Sequence, residues 1–217
     1  MTEVTAKLLR DPVAREQRLA SLELPHVAML TALVRALREE RGPEYSIPHF
    51  DPADGGQDAE ILFLLEAPGP QAVRSGFVSR DNPDETAKNF LMLCEEAGID
   101  RRRTVCWNVV PWYIGTGKKI RAATARDVAS GLQSLGRLLE LLPRLSTVVL
   151  VGGKAARARE FMVEQRPQIH VVEMPHPSPM FINRSPGNRD RILTVLRRLG
   201  YAQGTAVRAE SARRALV

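Results

Sequence analysis

The chain has 217 residues, 44% of them hydrophobic, which suits one domain with an ordinary apolar core. Lysine and arginine number 31 against 25 aspartates and glutamates, a net charge of +6 that favours a polyanionic partner, nucleic acid first. Two cysteines, Cys94 and Cys106, exclude a disulfide framework and a four-thiolate cluster, and no apolar run approaches membrane-spanning length.

Helical periodicity runs from about Val13 to Glu40, split by Pro25, with Ala28, Leu30, Leu33, Val34 and Leu37 on one face. RGPEYSIPHFDPADGGQD is rich in Pro, Gly and Asp and reads as loop. ILFLL (61–65) reads as a short buried strand ending at APGP. DETAKNFLMLCEEAG has an acidic start, helical spacing and a glycine stop at Gly98. TVCWNVV (104–110) is a second strand, closed by Pro111. TARDVASGLQSLGRLLELLP is a helix, STVVLVGG (146–153) a third strand, KAARAREFMVE a helix and IHVVEM (169–174) a fourth strand. GNRDRILTVLRRLG is the last strong helix. Residues 1–202 are expected to form one domain that includes the N-terminal helices, and 203–217 a polar, flexible tail.

Strands alternating with helices predict an α/β fold, a three-layer α/β/α sandwich around a four-stranded, mainly parallel sheet. Ligands of such sheets bind beyond the carboxyl ends of the strands. Those ends read EAPGP, NVVPW, GGK and MPHPSP, and they concentrate the Gly, Pro and polar residues of the chain. The site is therefore expected where these four segments meet.

Each segment has a plain reading beside a functional one. Pro68 and Gly69 make a tight turn that presents backbone N–H groups, without the glycine spacing or lysine of a nucleotide loop. Asp84 suits a helix N-cap after Pro83, which leaves Asp81 without a capping duty. Phe77, beside Gly76, suits either the core or a platform under a planar ligand. Asn108 is out of character in a strand, and a buried asparagine needs partners for carbonyl and amide alike; a neighbouring loop or the edge of a nucleobase would supply them. Lys118, Lys119 and Arg121 sit in a glycine-containing loop suited to phosphates, or simply to solvent. Gly152-Gly153-Lys154 opens a helix whose N–H groups suit a phosphate. In EMPHPSPM (173–180), prolines stiffen the chain around His176 and Ser178. Met180 and Phe181 follow, as core or as a wedge into a base stack.

Taken together, EAPG, WNVVPW, VGGKAA and HPSP resemble, in order, motifs of the uracil-DNA glycosylase superfamily, over roughly residues 60–200. The resemblance implies hydrolysis of the N-glycosidic bond of deoxyuridine in DNA, with uracil flipped into a pocket and an abasic site left behind. It assigns uracil binding to Ala67, Pro68, Gly69, Phe77, Asn108 and His176, with His176 bonding the uracil carbonyl that gains charge. Contacts to DNA would come from Lys118, Lys119, Arg121, Gly153, Lys154, Ser178, Met180 and Arg184. Three departures stand out. Ala67 occupies the position of the catalytic Asp of the classical branch. The cysteines of the iron–sulfur branch are missing. Arg121 stands at the His of the branch that bonds covalently to DNA. The water-positioning group is expected to be Asp81 first, with Asp84 and Asn82 following and then Glu66, which suits holding a loop as well. No cofactor or metal is expected, and the chain is expected to be a cytoplasmic bacterial monomer acting on uracil-containing DNA. A non-catalytic nucleic-acid binder on the same fold, motivated by Ala67, and a hydrolase of free nucleosides are the competing readings.

Overall fold

The computed structural model describes residues 5–116 and 120–200. The N-terminal periodic stretch forms two helices, α1 (Pro12–Ala20) and α2 (Ala28–Arg41). After them come β1 (His49–Phe50), β2 (Ile61–Leu65), α3 (Pro70–Ser75), β3 (Phe77–Val78) and α4 (Glu85–Glu96). The second half holds β4 (Thr104–Asn108), α5 (Ala125–Glu140), β5 (Thr147–Val151), α6 (Arg159–Gln165), β6 (His170–Met174) and α7 (Pro179–Ile182). A last helix, α8, covers 188–200.

The four long strands form one sheet in the order β4-β2-β5-β6, every pair parallel. Parallel neighbours need crossover connections, and the intervening helices supply them. Strands β2, β4 and β5 are apolar and buried along nearly their whole length, as expected for a sheet flanked by helices on both faces. The register aligns Leu65 with Asn108 and Val151 with Met174, so the carboxyl ends of the strand pairs finish level. The chain steps from β2 out to β4 and then back across to β5. That reversal opens a crevice above the middle of the sheet.

The structure adds elements within the stretches read as loop. His49–Phe50 pairs in parallel with Phe77–Val78 as a separate two-stranded sheet. Phe50 then stacks on Trp107 at 3.8 Å between centroids, which fixes the loop-like N-terminal region to β4. Helix α3 carries Pro at its first turn and ends at Gly76, whose φ of 85° no β-carbon residue adopts cheaply. The stretch after β5 begins as a 3-10 turn over Ala155–Ala158 and becomes α-helical only at Arg159.

Helix α5 lies against the end of β4 at Gly131. A β-carbon there would sit 2.0 Å from the Val109 carbonyl oxygen, a backbone atom that cannot step aside. Gly131→Ala should therefore destabilise the fold by about 3 kcal/mol, the upper range for overpacking. Urea unfolding should report this as a lower midpoint at unchanged slope.

Candidate active site

A cavity of about 560 Å³ lies above the carboxyl ends of the sheet, where three of the four motif segments converge; Gly152, Gly153 and Lys154 do not line it. EAPGP forms one wall, Asn108 the floor, His176 another wall and Asp84 the entrance to α4. Residues 78–80 and 82 close it from the side.

His176 follows β6 in the proline-stiffened loop. Its Cβ lies where only glycine fits opposite: a β-carbon on Gly152 would meet it at 3.2 Å, and Gly152 holds a φ of 85°. Burial lowers the His176 pKa, although Glu66 and Asp84 pull the other way, so the ring is neutral at pH 7. Among the described residues no side chain or backbone group bonds the ring. The loop is held instead by Asn89 of α4, whose Nδ2 donates to the Pro177 carbonyl at 3.1 Å.

Asn108 is 3% exposed, and its Nδ2 is buried without a hydrogen-bond partner. Leaving a buried amide donor unpaired costs about 1–3 kcal/mol. A planar ligand with an acceptor at that edge would satisfy it. Glu66 accepts the Ala123 N–H on Oε1 at 2.6 Å and thereby ties the end of β2 to the segment before α5. Asp84 is the N-cap of α4, accepting the Ala87 N–H at 2.9 Å. Burial pushes its carboxyl above the usual aspartate range, against the lowering by the Ala87 and Thr86 N–H groups.

Other expected site residues lie elsewhere. Asp81 does not line this cavity: Arg101 Nη1 at 2.9 Å and Arg18 Nη2 at 3.1 Å both bind its Oδ2. It belongs to a buried network in which Arg18 and Arg101 also grip Asp51, and Arg101 and Arg80 grip Asp54. Asn82 does line the cavity, but its amide is engaged with the Ser75 hydroxyl at 2.6 Å and the Phe77 carbonyl at 2.9 Å. Phe77 is fully buried in a small cluster with Leu9 and Leu22, outside the cavity lining, because residues 8–22 fold over it. Ala67, Pro68 and Gly69 are in the lining.

The expected DNA contacts divide as well. Arg121 is paired with Asp127 through two bonds of 2.6 and 2.9 Å. Lys154 reaches the Ala123 carbonyl at 3.5 Å, and Gly153 is exposed. Ser178 caps α7 by accepting the Phe181 N–H. Met180 is 83% exposed and Arg184 is exposed. Lys118 and Lys119, and the tail 203–217, lie outside the described residues.

Gln71, Thr86 and Phe90 line the cavity without having been expected. Pro70 and Gly76 bracket the helix that carries Gln71, a start-and-stop signal present in the sequence. Cys94 and Cys106 are both buried, and burial raises both thiols. Among the described residues, no group of three or more His, Cys, Asp or Glu side chains is placed to hold a metal ion. No described helix is long and apolar enough to cross a membrane.

The family model described as the Uracil DNA glycosylase superfamily matches residues 52–200, more than half of the chain. No curated protein matches the sequence. Among solved structures, Pedobacter heparinus SMUG2 superposes with a TM-score of 0.54 at 12% identity, over 84% of this chain and 86% of that one. A Methanosarcina acetivorans protein described as a candidate uracil DNA glycosylase superposes with a TM-score of 0.46 at 18% identity, over 66% of this chain and 92% of that one.

Proposed function

Because this chain belongs to the uracil-DNA glycosylase superfamily, we propose that it hydrolyses the N-glycosidic bond of deoxyuridine in DNA, acting alone and without a cofactor. One observation carries the reading: an unpartnered buried amide, a neutral histidine and two carboxylates meet at a single cavity above the sheet.

In this reading the flipped uracil enters edge first against Asn108, whose Nδ2 donates to a uracil carbonyl. His176 donates an imidazole N–H to the carbonyl that gains charge as the bond breaks. A neutral donor fixed by Gly152 and the Asn89-tethered loop needs little reorganisation in the transition state. Asp84 takes the water-positioning role that Ala67 cannot fill. Asp81 gives way to it because its carboxylate is held by two guanidinium groups. Glu66, which like Asp84 lines the cavity and accepts one backbone N–H, is the second candidate for the role. A carboxylate in this position also stabilises positive charge on the sugar. The N-terminal helices are read as part of the same domain, since Arg18 joins α1 to Asp51 and Asp81.

The test is excision of uracil from a single-stranded and a mismatched duplex oligonucleotide, read as alkali-sensitive breaks. Asn108→Ala should lower the rate roughly 10- to 100-fold, the worth of a hydrogen bond at a buried polar edge. Uracil-dependent binding with no breaks would establish the non-catalytic reading that Ala67 motivates. Cleavage of free deoxyuridine, with none in DNA, would establish a nucleoside hydrolase.

A further inference from the structure

Two further depressions adjoin the central cavity. One, of about 300 Å³, is lined by Arg10, Arg15 and Arg74 and shares Gln71 with the central cavity. The other, of about 710 Å³, is lined by Arg41, Tyr45, Tyr113 and Arg126 and shares Ile120 and Arg121 with it. Among the described residues, none of Arg10, Arg15, Arg41, Arg74 and Arg126 pairs with a carboxylate. Five guanidinium groups without an ion-pair partner thus lie in two hollows that adjoin one pocket; the carboxylate of the second hollow, Asp127, is taken up by Arg121.

The second hollow has a further character. Arg41 is held with its guanidinium carbon 3.9 Å from the Trp112 ring centroid, and it donates to the Ser130 hydroxyl at 2.8 Å. It is a fixed cation. The Tyr113 hydroxyl beside it is buried and has no partner. Aromatic walls, an unsatisfied hydroxyl, the fixed Arg41 guanidinium and the exposed Arg126 together suit an unstacked nucleobase with its phosphate. Arg10, Arg15, Arg41 and Tyr45 all precede residue 52, where the family match begins.

We propose that the N-terminal segment extends the site into a track for a single DNA strand, with phosphates in the Arg10/Arg15/Arg74 hollow and an unstacked neighbouring nucleotide in the Arg41/Tyr113 hollow. This rests on the glycosylase reading for what occupies the central cavity, but not for the binding itself. A single strand is specified because a paired base is stacked and cannot enter the aromatic hollow.

The experiment measures binding of fluorescent uracil-free oligodeoxynucleotides to the full chain by anisotropy, across salt concentrations. Wild type should bind a 15-mer single strand more tightly than a 5-mer, and more tightly than the same 15-mer in duplex. The triple variant R10Q/R15Q/R74Q should lose about tenfold or more in 15-mer affinity. It should also reduce the log–log salt slope by about 2, at roughly 0.7 per released phosphate contact. Tyr113→Phe combined with Arg126→Gln should weaken single-strand binding several-fold and leave duplex binding unchanged. Melting temperatures of both variants should match wild type, because none of these side chains makes an ion pair. Wild-type affinity and salt slope in either variant would overturn the proposal, as would equal binding of single strand and duplex by wild type. Excision is read separately. Absence of excision with these binding losses intact would overturn the glycosylase reading and leave the track standing.

Discussion

Asp84→Asn should slow single-turnover uracil excision by about 10²- to 10⁴-fold, the range for losing a positioned general base. The substitution isolates chemistry from folding. Asparagine caps helices about as well as aspartate, so the bond from the Ala87 N–H and the start of α4 should survive. Stability should follow the opposite direction from activity. Burial raises the Asp84 pKa in the folded chain, so the protonated form is favoured there. Its stabilising contribution is complete below the unfolded aspartate value and is lost as pH rises through the folded value. At neutral pH the carboxylate is a net cost that asparagine lacks, and the variant should melt no lower than wild type. The acid limb of the wild-type rate should lie above the usual aspartate range, and it should disappear in the variant. An unchanged rate in Asp84→Asn, with loss in Glu66→Gln, would move the role to Glu66.

The largest expected loss of stability comes from the buried charge network. Arg101→Ala should destabilise the chain by about 3–5 kcal/mol, because Asp51, Asp54 and Asp81, all 3% exposed or less, each lose one of two guanidinium partners and the buried cluster is left with one carboxylate in excess. Thermal unfolding should report a drop of about 10 °C or more. Arg101→Lys should recover only part of it, since one ammonium cannot reproduce a planar fork that serves three carboxylates. The network also sets an acid limit. Burial pushes the Asp51 carboxyl up, but Arg101, Arg18, the Ser79 hydroxyl and the Ala53 N–H outweigh it and hold it below its usual range. Its contribution is therefore full above the ordinary aspartate value and is lost as pH falls through the lower folded one. A wild-type chain that kept its stability on acidification, or an alanine variant that melted normally, would mean the charges are solvated rather than interlocked.

That network also explains which parts of the molecule could be read from the sequence. The four sheet strands were legible because each is a short apolar run closed by Gly, Pro or a polar residue, a signal contained in neighbouring positions. Their shared carboxyl ends followed from the parallel topology, and with them Glu66, Asn108 and His176. Asp81 shows the limit. On local grounds it was the free carboxylate beside a capping Asp84, yet Arg18 lies 63 positions away and Arg101 20, and both reach it. Phe77 shows the same limit: its burial depends on Leu9 and Leu22, far earlier in the chain. The β1–β3 pairing is two residues long on each side, too short for alternation to stand out from the surrounding Pro and Asp.

The hydrogen bond from Asn89 to the Pro177 carbonyl has a consequence for precision. Asp84 caps the first turn of α4, and Asn89 lies little more than one turn further along the same helix. In the proposed reaction, the group that would face the incoming water and the loop that would face the departing base therefore hang from one short rod. The spacing between the two halves of that reaction would then be kept by the pitch of a single helix rather than by the alignment of separate strands.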